Sequence, residues 1–209
     1  MTCIVGVDLG DRVVIAADQR VMCGPEPVND RHGKLFRVGK WLYGLSGTAA
    51  AQSALRRAAT SLADAKTLDD FEAAVAAALR AADFHCEPQG GGPKSVGTSL
   101  LATSGDGLAL LFSDGGHTLL PVGQPVACGS GAEYALGYLS GVPPTSEQAL
   151  RGAVLAAIRW NAYCGGEPQV EVVQRAVSDV EMQQRESWRG VTSDSYMEGA
   201  TLRVCTAGA

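Results

Sequence analysis

Aromatic residues are scarce in this chain, 6% of 209 residues, and so is charge, at 19%. With apolar residues at 46%, the shortage of charge excludes a disordered chain. Basic residues do not outnumber acids: the net charge is -5. That excludes a general nucleic-acid binder and an anionic-membrane binder. No apolar run reaches the ~20 residues of a membrane span. The first residues, Met-Thr-Cys, show no basic region and no cleavage site, so no secretory signal is expected and the cytoplasm is the expected location. Six cysteines (Cys3, Cys23, Cys86, Cys128, Cys164, Cys205) include no CxxC pair. A disulfide framework is open to them, but reduced thiols are the better reading. Only His32, His85 and His117 are present, none at ligand spacing, so no metal and no cofactor are expected.

What is there reads as one domain over residues 1–209, long enough for a sizeable core, with no linker and no repeat. Residues 2–8 and 12–18 read as strands around the turn Leu9-Gly10-Asp11. Both are apolar on both faces, as strands covered on two sides are. A Gly-, Pro- and Asn-rich loop is expected from Cys23 to Gly33, then strands at 34–38 and 41–45. Two helices follow, one over about 49–63 and one from Thr67, whose "TLDD" supplies a cap and early acids. Its apolar stripe is Leu68, Phe71, Val75, Leu79 and Ala82. "EPQGGGPKS" breaks the chain at 87–95. Strands are expected at 97–103, 107–113 and 117–122. "PVACGSG" then leads into a helix from Ala132. Another helix follows Pro143-Pro144, with Thr145 and Gln148 at capping-box spacing. Its stripe runs on to Asn161, whose amide should face inward. Strands close the chain at 169–174 and 200–205; residues 178–199 have no assignment. Doubly covered strands with helices in pairs imply two stacked sheets, each with a helix layer outside.

"VGVDLG" resembles the phosphate turn of actin-like ATPases. Such enzymes need two related domains, and Asp8 with Gly10 alone is a common turn. "GGGPKS" fails as a phosphate loop because Pro93 parts Gly92 from Lys94. Thr2 is a stronger candidate. Loss of Met1 would leave Thr2 with a free α-amine, whose pKa of ~7.7–8.0 suits a proton acceptor at neutral pH. A Thr hydroxyl activated by that amine is a known nucleophile. Asp18 ends a buried apolar run and needs a partner; Lys34 is available. Ser130 sits in Gly-Ser-Gly before a helix, where a backbone or ligand can approach closely. Gly47 lies between a strand and a helix and can expose an N–H. Singly, each has a plainer reading: a structural ion pair, a helix cap, a turn.

Together, "TCIVGV", "VVIAADQR", "KLF", "YGLSGTAA", "GTSLLAT", "SDGG" and "GSGAEYALGYL" resemble the proteasome β-subunit family of N-terminal-nucleophile (Ntn) hydrolases, HslV included. The stretches run in order from Thr2 to about Cys164. The resemblance implies an α+β fold, a four-layer αββα sandwich of two stacked, mainly antiparallel sheets. It implies a threonine peptidase in which Thr2 Oγ attacks and its amine, with Lys34, moves the proton. Asp18 would orient Lys34, Ser130 would position the amine, and the Gly47 N–H would stabilise the oxyanion. Leu45 would floor the pocket for the residue before the cut. Val21 to Gly24 would pair with the substrate backbone, with Met22 where the family often has Thr.

The family's late Asp-x-x-Ser-Gly-Gly is here Asn161-Ala-Tyr-Cys164-Gly-Gly. Asn161 supplies no charge, and Cys164 is a weaker hydrogen-bond partner than Ser. Both bear on the rate. The resemblance further implies a homo-oligomeric ring, peptide or unfolded-protein substrates, and an AAA+ ATPase as partner. Two other readings stand beside it. One is a non-catalytic ring subunit, although family α subunits carry an extra N-terminal helix. The other is an Ntn amidase acting on a small molecule.

Overall fold

Strand β1 (Ile4–Asp8) pairs antiparallel with β2 (Arg12–Ala17), Ile4 opposite Ala17. Gly10 turns the hairpin at φ 87°, and its N–H donates to Asp8 Oδ1 at 2.7 Å. "VDLG" is therefore a plain turn. The computed structural model describes residues 2–82, 98–112 and 115–175, and the backbone of 203–205. Strands β10 (Val126–Cys128), β11 (Gln169–Gln174) and β12 (Arg203–Cys205) complete the first sheet, in the order β11-β2-β1-β10-β12. Only β10 and β12 run parallel. The second sheet is an antiparallel meander of β5 (Leu35–Val38), β6 (Trp41–Ser46), β7 (Ser99–Thr103), β8 (Ala109–Phe112) and β9 (His117–Leu119).

Alternation along the strands makes three apolar layers. Val5, Val7, Val14 and Ala16 face α4 (Ala132–Leu139) and α5 (Glu147–Trp160). Tyr43, Leu45 and Leu100 face α1 (Ala49–Arg57), α2 (Ala59–Asp64) and α3 (Leu68–Ala81). Ile4, Ile15, Leu42, Leu101 and Leu108 fill the space between the sheets. Because both faces of β1 and β2 are covered, neither strand alternates with polar residues. The result is the four-layer αββα sandwich. Thr67 and Asp70 cap α3 reciprocally, at 3.1 and 3.0 Å.

The structure departs from the sequence reading in four places. The expected loop from Cys23 to Gly33 contains most of a hairpin, β3 (Val21–Cys23) and β4 (Glu26–Asn29), turned at Gly24. Every β4 residue is exposed, so no apolar alternation marks it. The helix expected over 49–63 breaks at Ala58, the C-cap of α1 and N-cap of α2; its N–H reaches back to Ala54 and Leu55 carbonyls. Ser146, not Thr145, caps α5: its hydroxyl accepts from Ala149 N at 3.2 Å, while the Thr145 N–H is drawn to Pro143 O. Strand β8 begins at Ala109 rather than 107, position 113 lying outside the described residues, and β9 ends at Leu119 rather than 122. The 87–95 stretch and residues 178–199 lie outside the described residues.

Candidate active site

Four segments converge at one end of the two sheets. Thr2 enters β1, Asp18 leaves β2, Lys34 enters β5, and Ser130 follows β10. Thr2 and Lys34 are each 2% exposed, and Asp18 is fully buried. A lone buried charge would cost several kcal/mol. Here Lys34 Nζ donates to Asp18 Oδ1 at 2.6 Å, joined by the Cys3 N–H at 2.8 Å. Asp18 Oδ2 accepts from the N–H groups of Arg20 and Gly165, both at 3.1 Å. Four donors thus hold one carboxylate and, with it, the ammonium that enters the second sheet.

Thr2 is held from the β10–α4 turn. Its nitrogen donates to Ser130 Oγ at 3.3 Å, and its carbonyl accepts from the Gly131 N–H at 3.1 Å. Gly129 sits at φ 93°, where a Cβ would run into the Thr2 carbonyl. Only glycine lets the turn come this close. Asn161 ends α5 with its amide turned inward, as its place on the stripe implied. Its Nδ2 donates to the Ser130 carbonyl at 2.5 Å, and its Oδ1 accepts from Tyr163 N at 2.9 Å. Cys164 is buried against Gly131. Burial, reinforced by the Asp18 charge, pushes its thiol up to about 12. At neutral pH it is a neutral S–H, a weak donor.

Gly47 lies between β6 and Thr48, the N-cap of α1, and a Cβ there would stand 2.7 Å from Thr98 Oγ1. Leu45 is fully buried on the α1 side, and its N–H donates to the Lys34 carbonyl at 3.3 Å. Val21 and Met22 are half-buried on β3, which begins three residues after Asp18; Gly24 is at the hairpin tip. Thr2, Asp18, Lys34, Ser130, Asn161 and Cys164 therefore form one linked cluster. Leu45, on β6, is tied to it through the Lys34 carbonyl, whereas Gly47, one residue past β6, packs against Thr98, and Val21, Met22 and Gly24 lie on the β3–β4 hairpin.

A family model for the proteasome subunit matches residues 1–173. The chain belongs to the proteasome subunit family.

Among solved structures, this family member is similar to Thiobacillus denitrificans BPH, with 22% identity and a TM-score of 0.71 over 85% of this chain and 100% of that one. The same protein in complex with epoxomicin matches with 23% identity and a TM-score of 0.68, over 84% and 100%. A eukaryotic HslV from Trypanosoma brucei matches with 20% identity and a TM-score of 0.65, over 83% and 100%. No curated protein matches the sequence. At these identities the likeness carries the fold.

The sequence reading of this family member missed Gln169. Its Oε1 accepts from the N–H groups of Lys34 and Leu35, at 3.1 and 3.2 Å, and its Nε2 donates to the Leu35 carbonyl at 3.3 Å. The side-chain amide acts as a short extra strand on the β5 edge and fixes the main chain of Lys34. No local pattern signals a contact made across 135 residues. Away from the cluster, His117 on β9 meets α3: its Nδ1 is 2.6 Å from Glu72 Oε2 and its Nε2 is 3.9 Å from Asp69 Oδ1. The His117 contact and the Gly116 N–H hold the Glu72 carboxyl below its usual range. Among the described residues this is the one grouping of three potential metal donors. Sequence spacing could not show it, because the residues meet only in space.

Proposed function

We propose that the chain is a threonine-type endopeptidase with Thr2 as its nucleophile. The observation that carries this is the Thr2 nitrogen in reach of Ser130 Oγ, in one cluster with the buried Asp18–Lys34 pair. Removal of Met1 would turn that nitrogen into an α-amine. With a pKa of ~7.7–8.0, the amine can take the hydroxyl proton at neutral pH. Thr2 Oγ then attacks the peptide carbonyl to form an acyl-enzyme. The proton passes to the leaving amine, and water releases the second product. Lys34 holds positive charge beside the nucleophile, and Asp18 fixes Lys34. Ser130 orients the amine and is itself held by Asn161. The Gly47 N–H serves the developing oxyanion. Val21 to Gly24 bind substrate backbone as an added strand, and Leu45 forms the base of the pocket for the residue before the cut.

Family membership supports a homo-oligomeric ring in the cytoplasm, acting on peptides and unfolded polypeptide, with an AAA+ ATPase to deliver folded substrates. No helix among the described residues is long and apolar enough to cross a membrane. Asn161 and Cys164 in place of the family's acid and serine favour a slow enzyme over a fast one.

Epoxomicin, which was bound to BPH in the related structure, is the direct test. Its epoxyketone closes a ring with both a Thr hydroxyl and a free α-amine. Intact mass should show loss of Met1 and one adduct, mapped to Thr2. A clean Thr2 terminus that takes no adduct would overturn the peptidase reading and leave a non-catalytic ring subunit. An adduct without peptide cleavage would point to an amidase of small substrates.

A further inference from the structure

The Arg20 guanidinium uses all three nitrogens. Nε and Nη2 donate to the two Asp30 oxygens, at 2.7 and 2.8 Å, and Nη1 donates to the Ala162 carbonyl at 2.9 Å. Arg20 and Asp30 flank the β3–β4 hairpin at its base. Ala162 belongs to the turn between Asn161 and Cys164. The Gln19 N–H adds a second link between the two regions, donating to the Gly165 carbonyl at 2.8 Å, while the His32 N–H closes the base of the hairpin by donating to the Gln19 carbonyl at 3.1 Å.

We infer that Arg20 is a positioning residue: it ties the substrate-pairing hairpin to the turn that supports the Thr2 amine, so that both are set together. The inference rests on the peptidase reading. The contacts form an unbroken path. Asp30 holds Arg20, Arg20 holds Ala162, the neighbouring Asn161 holds the Ser130 carbonyl, and Ser130 Oγ holds the Thr2 nitrogen.

An exposed ion pair contributes little by itself. Three features set this one apart. It is bidentate, which fixes orientation as well as distance. It has a third contact, to a carbonyl of the turn. The turn is also shaped around it: a Cβ at Gly165 would run into Arg20 Nε, and one at Gly166, at φ 78°, into the Asp30 carbonyl. The Arg20 hydrogen bonds hold the Asp30 carboxyl below its usual range, so the pair stays charged at neutral pH.

The test uses Arg20→Gln and Asp30→Asn in the full-length protein. Their side chains are 23% and 44% exposed, so neither change opens a cavity in an apolar layer, and the thermal midpoint of each variant reports the folded fraction at which it is compared. Peptide-cleavage kinetics are measured together with backbone hydrogen exchange over 21–29 and 161–166. Misplacement of the amine in Arg20→Gln should lower kcat by up to about 100-fold. KM should rise, and both segments should exchange faster. Asp30→Asn keeps the Ala162 contact, so it should raise KM and change kcat less. Faster exchange in the hairpin alone, with kcat unchanged, would overturn the inference. If the wild type cleaves no peptide, the peptidase reading fails, and exchange still decides the link between hairpin and turn: joint loss of protection upholds it, and loss in one segment sinks it.

Discussion

Cys164 concentrates the chemistry that separates this site from its family pattern. Its thiol is buried beside Asp18, and its folded pKa of about 12 lies well above the ordinary 9.0. Cys3, packed nearby, is shifted in the same direction by burial. The folded protein therefore keeps protons that the unfolded chain gives up once pH passes 9.0. Below that pH the two states bind equally and the contribution is intact. As pH rises toward 12 the unfolded chain binds fewer protons, and stability falls. The thermal midpoint of the wild type should drop steeply over this interval, and that of Cys164→Ser should drop less. Parallel curves would show that the thiol is not the titrating group. The same substitution places a hydroxyl, a better donor and acceptor, beside Ser130. One added neutral hydrogen bond is worth about 1 kcal/mol, so epoxomicin should modify Thr2 about fivefold faster.

The β10–α4 turn is the element that decides whether Thr2 is held at all. Gly129 combines a positive φ with a backbone approach that no side chain can share, and its missing Cβ also leaves room for Ser46 Oγ. Gly129→Ala should destabilise by about 1–3 kcal/mol from backbone strain, read as a shift of the urea midpoint. Modification of Thr2 should slow further than the folded fraction explains, because the collision is with Thr2 itself. A variant that loses stability but modifies at the wild-type rate per folded molecule would refute this. Much of this element is legible in the chain, since glycines on both sides of a serine before a helix announce a close approach. Asp18 is legible for a related reason: an acid closing the run VVIAA has nowhere to go without a cation. The β3–β4 hairpin is not, because its strands are short and β4 is wholly exposed, so side-chain alternation carries no signal. Gln169 and the Ala162 contact of Arg20 are hidden differently. Both are made across more than 130 residues, and only the stacked sheets bring the partners together.

At the scale of the whole molecule, the cluster belongs to neither sheet alone. Thr2, Asp18 and Ser130 come from the first sheet, whereas Lys34 and Gly47 come from the second. The spacing between them is set by the apolar layer in the middle, where even Gly6 and Gly44 leave no room for a methyl group beside Leu101, Leu108, Leu35 and Ile4. Outer layers, by contrast, join helices to sheets and touch this spacing only indirectly. Two fully buried leucines separate the effects: Leu101 in the middle layer and Leu62 on α2 in an outer one. Either truncation to alanine should cost about 2–5 kcal/mol. Sheets that settle around the Leu101 cavity move Asp18 relative to Lys34, and a shift near 1 Å can cost about 100-fold in rate. At a temperature where both variants remain folded, Leu101→Ala should therefore modify Thr2 much more slowly than Leu62→Ala does. Equal rates would mean that the Asp18–Lys34 pair and its four-donor cradle hold the site rigidly enough to ignore the layer beneath them.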